Sequence, residues 1–278
     1  MAEIGKINKL KIVKKVDFGV YIDGGDLGEI LLPKRYVPEK YEIGDIVEVL
    51  IYRDSEDRII ATTEKPYAVV GQFAFLRVVS VSPVGAFLGW GLQKDLLVPF
   101  REQKEKMREG ESYIVFIHID EMKKRIVASS RIDRFLKDIP SSFLEGQEVN
   151  LLICGQTDIG YKAIINNSHW GIIYKNEVFE KLEKGRVVKG FIKKVREDNK
   201  IDLTLHEPGY KKIGDLTEKI IDKLKEQDGF IPVTDKTSPE IIYDLFGVSK
   251  SSYKKAIGAI YKKRLITIED KGIRLNRN

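Results

Sequence analysis

Strand-type patterning dominates this chain up to about Leu205. Short runs rich in Val, Ile, Leu, Tyr and Phe are cut by Gly, Asp, Asn or Pro, among them DFGVYI, PVGAFL and DIGYKAI. Several such runs at close spacing predict compact all-β barrels or sandwiches. The period changes after a polar stretch at residues 206–212, where the apolar residues of LTEKIIDKLKEQDG recur at helical spacing and Asp228-Gly229 stops the helix. A second helix is expected from Ser238, a suitable N-cap, through Pro239 at its first position to Phe246-Gly247, and a third begins after Ser249. LITIEDKGIRL then gives two short strands joined by Glu-Asp-Lys-Gly. Three helices and a hairpin in that order are the plan of a winged helix-turn-helix.

The β-rich part repeats itself. Gly19, Gly85 and Gly160 each sit in a strand-like run, Gly44, Gly110 and Gly185 each precede a later one, and every pair is 25 residues apart. Each unit closes on a basic residue and a β-run ending in a hydroxyl: Arg58 to Thr62, Arg125 to Ser129, Lys200 to Thr204. A small barrel must bend sharply, and a mid-strand glycine tolerates the bulge that bends it. The plainer alternative is a set of turn glycines. The expected organisation is multidomain and mainly β: three OB-type barrels at 1–65, 66–138 and 142–207, then an α+β winged helix at 213–278. Short linkers fall near 138–142 and 207–212.

Charge sharpens this division. Nine Lys/Arg against two acidic residues lie between Gly247 and Asn278, so the tail alone exceeds the net +6 of the 278-residue chain. A polyanion is drawn to that module, and the barrels must bind by something other than bulk charge. Cys154 is the only cysteine, which excludes an intrachain disulfide and a thiolate metal cluster. No apolar run approaches the roughly 18 residues of a membrane span. A cytoplasmic protein without metal or cofactor is expected.

The string Phe18-Gly-Val-Tyr21, GEILLP, IGDIVEV and DRIIATT resembles an S1-type RNA-binding repeat, a variant of the oligonucleotide-binding barrel. The second copy keeps Val84-Gly-Ala-Phe87, KDLLVP and KRIVASS; the third, with Ile159-Gly-Tyr-Lys162, WGIIYKNEV and NKIDLTL, is more divergent. Three such repeats before a winged helix resemble the conserved virulence factor B family of bacterial RNA-binding proteins over nearly the whole chain. The resemblance implies base-stacking positions at Phe18 and Tyr21, at Val84 and Phe87, and at Ile159 and Lys162, with Tyr161 one step out of register. The histidine of typical S1 repeats is matched by Leu31, Leu97 and, across a two-residue gap, Tyr174. No repeat keeps that histidine, and the third also lacks a ring at both stacking positions, so it is expected to act mainly as a spacer. Lys34 and Arg35, with Lys14 and Lys15 nearby, and Lys94 in the second repeat complete the candidate RNA contacts. Against this, rings in β-runs are often core and scattered lysines are usually solvated.

Projected at about 100° per residue, the third helix turns Tyr253, Ala256, Ile257, Ile260 and Tyr261 toward the core. Ser251, Lys254, Lys255, Gly258 and Lys262 face outward, and Lys271 and Arg274 of the wing extend this basic surface. It lacks the Arg, Asn or Gln that read base edges bidentately, so its contacts are expected to be to phosphates. Phosphate-loop, HExxH and GxSxG motifs are all missing, and His118, His169 and His206 are scattered. Asp215 with Glu218 and Glu269 with Asp270 sit in helix-start and turn contexts. The expectation is a non-enzymatic protein binding single-stranded RNA and regulating messenger RNA stability or translation. The rivals are a regulator that reads duplex DNA through the winged helix, and a scaffold for protein partners such as those on ribosomes.

Overall fold

The computed structural model describes residues 1–122, 124–139, 143–178, 181–205 and 213–276. His206, Arg277, and residues 140–142 and 207–212 of the expected linkers lie outside the described residues. The chain divides into two compact units, Met1–Lys137 and Asp138–Asn278.

The first unit holds two five-stranded sheets. Barrel 1 consists of β1 (Ile7–Val16), β2 (Gly19–Asp23), β3 (Glu29–Pro33), β4 (Ile46–Arg53) and β5 (Ile59–Thr62), closed in the order β1-β2-β3-β5-β4. Barrel 2 repeats the plan with β6 (Phe73–Ser82), β7 (Gly85–Gly89), β8 (Leu96–Pro99), β9 (Ser112–Ile119) and β10 (Ile126–Ser129), but its sheet runs β10-β9-β6-β7-β8 without a ladder between β8 and β10. In the second unit, β11 (Glu148–Gln156), β12 (Gly160–Ile165), β13 (His169–Tyr174), β14 (Val187–Val195) and β15 (Ile201–Thr204) form closed barrel 3.

The regular glycine spacing has a geometric cause. The first strand of each barrel serves two neighbours: in barrel 1 Ile7–Lys11 pairs with β4, and the stretch from Ile12 to Val16 pairs with β2. The register shifts between Ile12 and Lys14, between Val78 and Ser80, and between Ile153 and Gly155, where the strand bends. The second glycine of each pair docks on that bend, its N–H donating to Ile12 O, Val78 O or Ile153 O at 2.8 to 2.9 Å. The first glycine does not form the bulge. It opens β2, β7 or β12, where a Cβ would lie 2.2 Å from Leu32 O, 2.3 Å from Val98 O or 2.0 Å from Ile173 O. Only a bare backbone allows this approach.

The winged helix contains α1 (Ile213–Glu226), α2 (Pro239–Phe246) and α3 (Lys250–Lys262), with a sheet of β16 (Phe230–Ile231), β18 (Gly272–Leu275) and β17 (Ile266–Glu269) in that order. Ser238 and Ser249 cap α2 and α3 by accepting from the N–H of Ile241 and Ser252, and Gly247 ends α2 in the left-handed region. The two-residue β16 was not expected, being too short to show a period. One expectation fails: Tyr261 is 53% exposed, whereas Tyr253, Ala256, Ile257 and Ile260 are buried. Tyr261 lies at the margin of the apolar stripe in the last turn, which places it on the outward basic face instead of in the core.

Candidate nucleic-acid interface

Period-two alternation decides which rings reach solvent. In β2 and β7 the neighbours Val20, Ile22, Ala86 and Leu88 point inward and are buried, so Tyr21 and Phe87 lie outward and are half-buried. Phe18, just before β2, is 58% exposed, and its counterparts Val84 and Ile159 are exposed to 59% and 58%. Tyr21 pairs across the ladder with Leu31 and Phe87 with Leu97, giving the two barrels matching outward faces. In barrel 1 the Lys14 ammonium stands 5.7 Å from the Tyr21 ring, and Lys34 N–H donates to Phe18 O at 2.8 Å. A cleft of about 680 Å³ beside Gly19 is lined by Lys15, Lys34 and Tyr41, with Lys15 5.6 Å from the Tyr41 ring. Arg35 is exposed, its guanidinium 4.6 Å from the Tyr36 ring. Rings with cations at their margins suit unpaired bases and their phosphates. Tyr41 escaped the sequence reading because it lies outside any β-run.

Lys94 has a different task. Its ammonium donates to Arg53 O at 2.8 Å and Asp54 O at 2.7 Å, tying barrel 2 to the β4–β5 turn of barrel 1. Burial lowers its pKa below the usual lysine value. Arg125 Nε donates to Asp57 Oδ1 at 2.8 Å across the same junction, and this hydrogen bond holds the Asp57 carboxyl below its ordinary range.

Barrel 3 differs again. Its register aligns Lys162 with Ile172 and Gly160 with Tyr174, as Gly19 aligns with Pro33. The residue matching Leu31 and Leu97 is therefore Ile172, and Tyr174 takes the place of Pro33. The Tyr174 hydroxyl is held by Arg196 and Asp202. Tyr161 is buried. The ring that sequence reasoning missed is Trp170, half-buried, with the Lys162 ammonium 3.6 Å from its centroid. Alternation along HWGIIY, which turns Trp170, Ile172 and Tyr174 to the same side, was the available signal.

On α3, Ser251, Lys254, Lys255 and Lys262 are all exposed. Lys254 pairs with Asp235 at 3.3 Å, and Arg274 on β18 donates to Glu269 at 2.6 Å. Among the described residues Lys255, Lys262 and Lys271 have no ion pair. Gly258 lies between them with ordinary helical backbone, and a Cβ there would meet nothing within 4 Å. Neither conformation nor packing asks for glycine. Gly258→Ala is expected to stabilise α3 by about 1 kcal/mol, read as slower hydrogen exchange in that helix.

No cluster of three His, Cys, Asp or Glu that could hold a metal ion is present among the described residues. His169 is held by Ile139 O at 3.0 Å and Ser168 Oγ at 2.9 Å, and His118 by Ile119 O at 3.3 Å. No helix among the described residues is long and apolar enough to cross a membrane.

Comparison with known proteins agrees with this architecture. Residues 4–64 and 70–130 match the S1 domain family, and residues 218–275 match the CvfB-like winged helix domain. S1 barrels joined to a winged helix define a nucleic-acid-binding protein. Conserved virulence factor B of Staphylococcus epidermidis (strain ATCC 12228) is 25% identical over 99% of this chain and 95% of its own length. The Staphylococcus saprophyticus protein of the same name is also 25% identical, with the same coverage. The chain belongs to the conserved virulence factor B family. A Streptococcus pneumoniae crystal structure described as a multidomain protein with nucleic acid binding domains covers 98% of each chain at 23% identity and a TM-score of 0.40.

Proposed function

We propose that this protein binds single-stranded RNA without chemically altering it and acts in the cytoplasm on messenger RNA stability or translation. The observation that carries the reading is the pair of outward faces on barrels 1 and 2. Phe18, Tyr21 and Phe87 are open enough to receive bases, which a duplex keeps stacked on one another. The winged helix supplies phosphate contacts, and the bare backbone at Gly258 leaves room for close approach between Lys254, Lys255 and Lys262.

A competition titration tests this. Labelled single-stranded RNA should resist displacement by duplex DNA of equal length, and equal or stronger duplex binding would overturn the reading. The Lys255→Ala/Lys262→Ala pair should flatten the dependence of log K on log salt by about 1.4, at roughly 0.7 per phosphate contact for single strands. An unchanged slope removes α3 from the interface. Gly258→Ala should weaken binding even though it stabilises the helix, separating contact from folding.

A further inference from the structure

In barrel 2 β8 and β10 lie side by side without a ladder, and barrel 1 borders this seam. In barrels 1 and 3 the equivalent strands are laddered, through Leu31 with Ile60 and through Ile172 and Ile173 with Asp202 and Leu203. Along this seam lies a groove of about 220 Å³, lined by Phe87, Leu97 and Asp95 of barrel 2, by Arg125 and Val127 of β10, and by Arg53 of barrel 1. This is below the roughly 300–1,000 Å³ of pockets that enclose drug-sized ligands. It suits one planar heterocycle.

Most charges around the groove are already engaged. Lys94 is bound to two carbonyls and Arg125 to Asp57. Arg53 Nε has no hydrogen-bond partner but is closed off from solvent, which leaves one accessible polar group. Asp95 has neither a hydrogen bond nor an ion pair among the described residues, and burial pushes its carboxyl above the ordinary range. An ionised carboxylate only accepts hydrogen bonds. Guanine presents two adjacent donors, N1–H and N2–H, that a carboxylate accepts together. Uracil presents one, and adenine and cytosine place a ring acceptor beside their amino group, which a carboxylate repels.

We propose that the groove takes one unpaired guanine, stacked on Phe87 with N1–H and N2–H on the Asp95 carboxylate. The inference rests on the RNA reading above and gives it a base preference at one position. Barrel 1 then has a second role, as the wall of a pocket on barrel 2.

Fluorescence anisotropy of the full chain with labelled oligouridines carrying a single internal guanosine, adenosine or no substitution tests it. The guanosine oligomer should bind roughly 5- to 150-fold more tightly than the others, the range of a good bidentate base contact. Asp95→Asn, which puts an amide N–H against a guanine donor, should erase that preference, read as the ratio of guanosine to adenosine oligomer affinities. Because Asp95 holds no other group, this variant should fold as the parent does. Equal affinity for guanosine and adenosine oligomers, or a preference that survives Asp95→Asn, overturns the pocket and leaves the RNA reading intact. Failure of every oligomer to bind overturns both.

Discussion

Phe18→Ala/Tyr21→Ala/Phe87→Ala is expected to weaken single-stranded RNA binding by about 3 kcal/mol or more, given ~1 to 3 kcal/mol for each base stacked on a ring. That is a loss above roughly a hundredfold in Kd. Phe18 stands mostly in solvent and the other two rings lie on outer faces, so no core is opened. The stability cost should stay within about 1 kcal/mol per site, the span of β-propensity on a strand surface. Anisotropy titrations of parent and variant, paired with thermal unfolding, separate the two effects. Unchanged affinity in a folded variant rejects stacking on these faces.

Those faces could be inferred from sequence because a strand carries its own two-fold record. Val20 and Ile22 on one side of Tyr21, and Ala86 and Leu88 on one side of Phe87, fix which way each ring points once the core side is known. The barrel count was equally accessible, since the paired glycines mark two places where the chain contacts the bend in its first strand. The winged helix followed from its caps and its hairpin.

What escaped depends on partners distant in sequence. Tyr174 was misaligned because the insertion in barrel 3 could be placed only by the ladder, which pairs Lys162 with Ile172. Tyr261 was assigned to the core because helical periodicity does not say where the neighbouring element stops covering the stripe. Lys94 looked like a phosphate contact because its true acceptors are two backbone carbonyls of another barrel. One signal for that junction was present in VEVLIY, where alternation gives way to a continuous apolar run. Such a run marks a strand buried on both faces. Val47, Val49 and Ile51 fill barrel 1, and Leu50 and Tyr52 join the core that contains Trp90.

This shared core leads to the second large effect. Trp90 is 3% exposed, packs in one apolar cluster with Leu50, Tyr52 and Ile60 of barrel 1, and donates its Nε1–H to Lys94 O at 2.6 Å. Trp90→Ala removes the ring and the donor that holds the Lys94 loop, and should cost about 3 to 5 kcal/mol, the range for deleting a buried large aromatic side chain. In a multidomain chain a single midpoint would mix several transitions. Hydrogen exchange resolved along the full chain is the better measurement. Protection should fall in β4 and β9 together, because they bury side chains in one cluster, and should persist in barrel 3 and in α3. Trp170→Ala, on the half-buried outer face of barrel 3, should leave the protection of its strands nearly unchanged. Loss confined to barrel 2, with β4 still protected, would mean that the two barrels fold independently. Concerted loss would mean that the guanine groove is walled by one cooperative body, so that base recognition in barrel 2 depends on the folding of barrel 1.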